Sequence, residues 1–140
     1  MEQFAEFVTN HMVLSVLFVV ILTLLIKNLS AEVVQGASSV DPSEATRLLN
    51  RENAIVVDIR SPDEFSEGHI LNAKNIPYSE FETRTAELEK LRDRPMIICC
   101  KTGTSTNVAI ANLKKMGFEN LHRLKGGIDN WKHESLPLTT

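Results

Sequence analysis

Cysteine is nearly absent from this chain. There are two among 140 residues, and they are neighbours, Cys99 and Cys100. Adjacent thiols cannot staple distant segments, so no disulfide framework is expected. Such usage fits a reducing compartment. Basic clusters are lacking as well. A net charge of −3 with scattered Lys and Arg excludes a nucleic-acid partner. No repeat or low-complexity tract occurs. His69, His122 and His133 lie apart, and no His/Cys/Asp spacing suits a metal, so neither metal nor cofactor is expected. No Ser/His/Asp arrangement is readable.

Charge is missing altogether from Phe7 to Ile26, and only Ser15 and Thr23 interrupt the apolar run from Met12 onward. About twenty such residues at ~1.5 Å each match the ~30 Å core of a bilayer. A buried helix is the bland alternative, but a core this small has no place for a helix apolar on every face. A cleaved signal peptide is the other. Leu29-Ser30-Ala31 would serve as its cleavage site, but its leading region should be basic, and here it carries Glu2 and Glu6. The expectation is an anchor: tail 1–6, transmembrane helix 7–27 in contact with the lipid bilayer, linker 28–40, and an α/β domain over 41–140. Lys27, Arg47 and Arg51 follow the span, which places the domain in the cytoplasm. The expected location is a bacterial inner membrane, single-pass, with room for a membrane-protein partner. The span has no glycine, hence no GxxxG face for self-association.

Beyond the linker, strands alternate with helices. Asp41-Pro42-Ser43-Glu44 is a helix start, with a capping Asp, Pro at the first position and Glu three residues on. Ala54 to Ile59 is a continuous β-branched run, the pattern of a buried parallel strand. Ser61-Pro62 repeats the cap-and-proline signal, and Gly68 stops that helix. A short strand near Ala73–Ile76, a helix over about Ser79–Lys90 and a strand over Pro95–Cys100 follow. Then come an amphipathic helix over Thr106–Met116, a strand over Leu121–Leu124 and a last helix after Gly126-Gly127. Such alternation predicts a parallel sheet covered on both faces. Ligands of such sheets bind beyond the carboxyl ends of the strands, where Cys100 falls.

Six small or polar residues follow Cys100: Lys101, Thr102, Gly103, Thr104, Ser105 and Thr106. A helical pattern begins at Asn107. Strand, cysteine, loop and helix in that order place a thiol at a ring of backbone amides. Such a ring binds anions and favours thiolate. The helix dipole and Lys101 add positive potential. Gly103 allows a turn that a Cβ would resist, and the hydroxyls can bind an anion or cap the helix. This is a site for sulfur or phosphorus oxyanion chemistry. Cys99, on the alternate face, reads as a buried structural thiol. Asp58 and Arg60, at a strand end on the active-site side, are supporting candidates that also suit a structural pair. Trp131 reads as core.

The sequence resembles the rhodanese-like family. Val56-Val57-Asp58-Ile59-Arg60-Ser61-Pro62-Asp63-Glu64-Phe65, then Gly68-His69-Ile70, then Ala73-Lys74-Asn75-Ile76-Pro77, is similar to the family's first block. Cys100 to Ser105 lies where its active-site loop lies, and Gly126-Gly127-Ile128-Asp129-Asn130-Trp131 matches its closing glycine–tryptophan turn. The likeness covers residues 41–138. It implies a small α/β domain around a five-stranded parallel sheet flanked by helices. It also implies sulfurtransferase chemistry without a cofactor. Cys100 takes the outer sulfur of thiosulfate or a similar donor, holds it as a persulfide over the amides of 101–105, and passes it to cyanide or a thiol. The usual loop has the form Cys-Arg-x-Gly-x-Arg, and here Lys101 and Ser105 stand in place of the arginines.

Two other functions compete. The domain could be a docking module with an incidental thiol. It could also be a phosphatase or arsenate reductase. That chemistry needs a longer loop ending in Arg to clamp a tetrahedral oxyanion. Thr106 occupies the place, and no Arg lies between Cys100 and Arg123.

Overall fold

A computed structural model describes residues 11–34 and 37–140. The chain divides into two units, Met1–Val34 and Gln35–Thr140. The first holds helix α1, Met12–Val34, of 23 residues. Taken by itself, α1 leaves apolar side chains such as Val13, Leu17, Phe18 and Leu24 exposed.

The expectation of a membrane span is overturned. Among the described residues, no helix is long and apolar enough to cross a membrane. The apolar side chains described in α1 run from Met12 to Ile26, after which the sequence turns to Lys27, Asn28 and Glu32. At ~1.5 Å per residue that stretch covers roughly 22 Å, short of the ~30 Å a hydrocarbon core requires. The single-pass inner-membrane location with a cytoplasmic domain falls with it, and the transmembrane helix expected over 7–27 and its lipid contact find no support among the described residues. Residues 1–6, read as a tail, and 7–10 lie outside the described residues.

In the second unit, five parallel strands form one sheet in the order β1-β5-β4-β2-β3. They are β1 Ser38–Val40, β2 Ile55–Asp58, β3 Lys74–Asn75, β4 Met96–Cys99 and β5 Leu121–Leu124. The order puts β4 in the middle. Its four residues are buried, which the β-branched, uncharged run predicts for a strand covered on both sides. Strand β1 falls inside the stretch read as linker.

Helices close both faces. Helix α2, Pro42–Arg51, starts where Asp41 accepts the Glu44 amide at 2.8 Å. Helix α3, Pro62–Glu67, starts at a capping box between Ser61 and Glu64. Helix α4 covers Phe81–Arg84, α5 Thr106–Lys115 and α6 Gly127–His133. The helix expected over 79–90 is instead α4 between two 3₁₀ turns, Tyr78–Glu80 and Thr85–Leu91. Its buried residues explain this: Thr85 and Leu88 are three apart, the spacing at which a 3₁₀ turn eclipses side chains onto one side.

Strand alternation sorts the core into two layers. Val57, Ile59, Ile98 and Cys100 pack with Phe81, Leu88, Ile110, Leu113 and Phe118 on one face. Val56, Ile97, Cys99 and Leu124 pack with Ala45, Leu48, Ile128 and Trp131 on the other. Cys99 and Cys100 therefore belong to opposite sides of the sheet. Trp131 is core, as expected, and its indole Nε1–H donates to the Pro137 carbonyl at 3.1 Å.

Candidate active site

Strand β4 ends at Cys99, and the chain turns at Cys100 into the loop that leads to α5. The Cys100 side chain is 6% exposed at the carboxyl edge of the sheet. The Gly103 amide donates to its Sγ at 2.9 Å. That bond needs the backbone to fold back within three residues, which Gly103 does at φ +90. A Cβ there would meet the Leu124 carbonyl oxygen at 3.2 Å and the Gly126 nitrogen at 3.3 Å. The amides of Lys101, Thr102, Thr104 and Ser105 donate to no acceptor among the described residues. Thiol and amides thus form a short anion cradle ahead of a ten-residue helix whose dipole adds positive potential.

The loop hydroxyls divide their work. Thr106 is buried and donates to the Gly103 carbonyl at 2.8 Å, tying the loop to the first turn of α5. Thr102 and Thr104 face each other, their Oγ1 atoms 3.1 Å apart and exposed. Ser105 sits at the N-cap without a side-chain cap bond. The Lys101 side chain is exposed.

A second element braces the loop. At the start of α6 the Ile128 amide donates to the Cys100 carbonyl at 2.9 Å, and the Asp129 amide to the Lys101 carbonyl at 3.0 Å. Gly127, at φ +62, lies so close to both carbonyls that a Cβ would overlap them. The glycine pair was legible as a turn, but its contact with the cysteine loop was not. The closing turn is thus the floor of the site.

Asp58 and Arg60 come together, but around Cys99. Register pairs Asp58 with Cys99, and their side chains share the face opposite Cys100. Arg60 Nη2 donates to Asp58 Oδ2 at 2.6 Å, and its Nε contacts both carboxylate oxygens at 3.0 Å. The same guanidinium holds the Glu64 and Gly68 carbonyls at 3.1 and 2.9 Å. Burial alone would lower the Arg60 pKa, but the hydrogen bonds and charge of Asp58 outweigh it, and the net shift is upward. This pair clamps the α3 loop. Cys99 is fully buried, and burial first, then the Asp58 charge, pushes its thiol pKa up. It is held as thiol, the unreactive form.

Other features lie away from the cysteine loop. A groove of about 500 Å³, lined by Leu49, Asn53, Ile70, Arg94, Trp131 and Leu136 among others, sits beside the amino ends of β2 and β4. Among the described residues no three His, Cys, Asp or Glu side chains converge to hold a metal.

The chain is similar to known proteins. Residues 41–134 match the rhodanese-like domain family. The uncharacterized protein YibN of Escherichia coli K12 is 34% identical over 139 residues, 99% of this chain and 97% of that protein. The thiosulfate sulfurtransferase GlpE of Pseudomonas putida KT2440 is 34% identical over 95 residues, 66% of this chain and 83% of that protein. The crystal structure of a rhodanese-related protein from Thermoplasma volcanium superposes with a TM-score of 0.66 at 29% identity. It covers 73% of this chain and 97% of that one. The family match begins at the Asp41 cap and runs through strands β2 to β5, the cysteine loop and the Gly126-Gly127 floor, so the chain belongs to the rhodanese-like domain family, which includes sulfurtransferases.

Proposed function

We propose that the protein is a sulfurtransferase that carries sulfane sulfur on Cys100. The observation that supports this most directly is the Gly103 amide aimed at the Cys100 Sγ at 2.9 Å, in a loop whose neighbouring amides donate to nothing else among the described residues. The amide is placed to donate to an anion held at this sulfur. It would favour a persulfide anion in the same place.

The reaction this supports is a displacement in two halves. The Cys100 thiolate attacks the outer sulfur of thiosulfate and forms a new S–S bond. The S–S bond of the donor breaks, and sulfite leaves with the electron pair. A thiolate or cyanide acceptor then attacks the terminal sulfur and regenerates the Cys100 thiolate. Charge balances in each half, and no cofactor enters. The amides of 101–105 stabilise the persulfide and the departing anion. The name of one relative, thiosulfate sulfurtransferase, points to the same donor.

Intact mass of the full chain after thiosulfate and removal of excess donor tests this. The expected result is a gain of one sulfur atom that Cys100→Ser abolishes and Cys99→Ser retains. An unmodified mass with both thiosulfate and a persulfide donor would leave the domain as a docking module.

A further inference from the structure

The cysteine loop carries one cation, Lys101, and its side chain is exposed, where solvent and salt screen it. A second cation, Arg123, stands on strand β5, on the same side of the sheet as Cys100. Parallel register sets Arg123 beside Ile98. Ile98, Cys100 and Leu121 all belong to the same core layer, so alternation puts Arg123 on the Cys100 face of the sheet. Its Nη1 donates to Asn107 Oδ1 at 2.9 Å, and Asn107 lies in the first turn of α5. The residue after Arg123, Leu124, is the one whose carbonyl a Cβ on Gly103 would press at 3.2 Å. Gly103 in turn donates to the Cys100 sulfur. The guanidinium is therefore bracketed between the tip of β5 and the start of α5, next to the loop and partly shielded from water. Its remaining N–H groups donate to no acceptor among the described residues.

We infer that Arg123, held in place by Asn107, is a specificity-determining residue that gives the Cys100 site its preference for anionic substrates. This rests on Cys100 being the sulfur-carrying site, and it deepens that reading by naming the charge class of the donor. Arg stays protonated at any working pH. A fixed unit charge at partly buried range acts in the same direction as the α5 dipole. It favours a dianion such as thiosulfate over an uncharged donor.

Two reagents that deliver the same reactive carbon separate charge from access: iodoacetate, an anion, and iodoacetamide, which is neutral. In the full chain, Arg123→Gln is expected to lower the ratio of iodoacetate to iodoacetamide rates at Cys100 by about fivefold to tenfold. The KM for thiosulfate should rise comparably, with kcat changed less, and Arg123→Lys should restore most of the ratio. A merely structural tether would slow both reagents together and leave the ratio unchanged, and that result overturns the inference. Should Arg123→Gln not fold, Asn107→Ala replaces it, since releasing the guanidinium must also lower the ratio, and an unchanged ratio there overturns the inference equally. The alkylation ratio does not depend on sulfur transfer. A protein that takes no sulfur from thiosulfate or from a persulfide donor yet shows the Arg123-dependent ratio sinks the sulfurtransferase reading and leaves the anion preference standing.

Discussion

Gly127 supports the cysteine loop from below, and no other residue type fits there. Its φ is +62, and a Cβ would overlap the carbonyl oxygens of Cys100 and Lys101. Those carbonyls are the acceptors for the first amides of α6. Glycine is needed for the backbone conformation and for the close approach together. Gly127→Ala is expected to destabilise the fold by about 2 kcal/mol or more and to slow sulfur loading by moving the loop. Urea unfolding and the loading rate check both halves, and a variant with wild-type values for both would show that the loop tolerates displacement. Residue-scale legibility divides along the same line. Cys100 and residues 101–106 were legible as a candidate site because the residues are contiguous in sequence. Asp58 and Arg60 were visible as a pair, but alternation across one peptide turns them toward Cys99. Arg123 had only a faint signal, a charge in a four-residue strand between buried leucines. Its relation to Cys100 exists only through strand register.

At the scale of elements, caps carried the sequence reading and short pieces escaped it. Asp41 and Ser61 start α2 and α3 as their cap-and-proline patterns predict. Strand β1 escaped because three residues, one of them buried, make no periodicity. It is fastened by its partner: Ser38 Oγ lies 2.6 Å from His122 Nδ1 across the β1–β5 register, and His122 Nε2 faces Asn120 Oδ1 at 2.9 Å. Burial lowers the His122 pKa from its ordinary 6.5, against the pull of Glu52 and Glu44. The sign follows from proton linkage. Between the folded and unfolded values the unfolded chain binds more protons, so stability is greatest above 6.5, falls as pH drops through it, and levels off below the folded value. His122→Gln should flatten the change in urea midpoint across that window. An unchanged pH slope in the variant would assign the slope to other groups.

For the whole molecule, the decisive fact is that one central strand serves two layers. The alternating strands and helices made the parallel sheet legible, and the uncharged β4 run marked its middle. The apolar segment ahead of the domain had a strong period-free pattern, and hydropathy alone gave it a bilayer, but among the described residues no helix is long and apolar enough to cross one. The same central position gives the two thiols opposite fates. Cys100 lies at the carboxyl edge with a loop amide on its sulfur, while Cys99 is 0% exposed within the sheet. A reagent reaches Cys99 only when the layer of Ala45, Leu48, Ile128 and Trp131 lifts from that face of β4, which opens one of the two core layers. Opening of that size costs the global free energy of unfolding. Cys99 should therefore resist alkylation in the native protein while Cys100 reacts. In urea, its labelling should follow the same midpoint as the loss of helical circular dichroism. Peptide mapping after a timed pulse of iodoacetamide reads both sites at once. Native labelling of Cys99 at the Cys100 rate would mean that the layer over Cys99 opens locally, and the two-layer core would not then unfold as one unit.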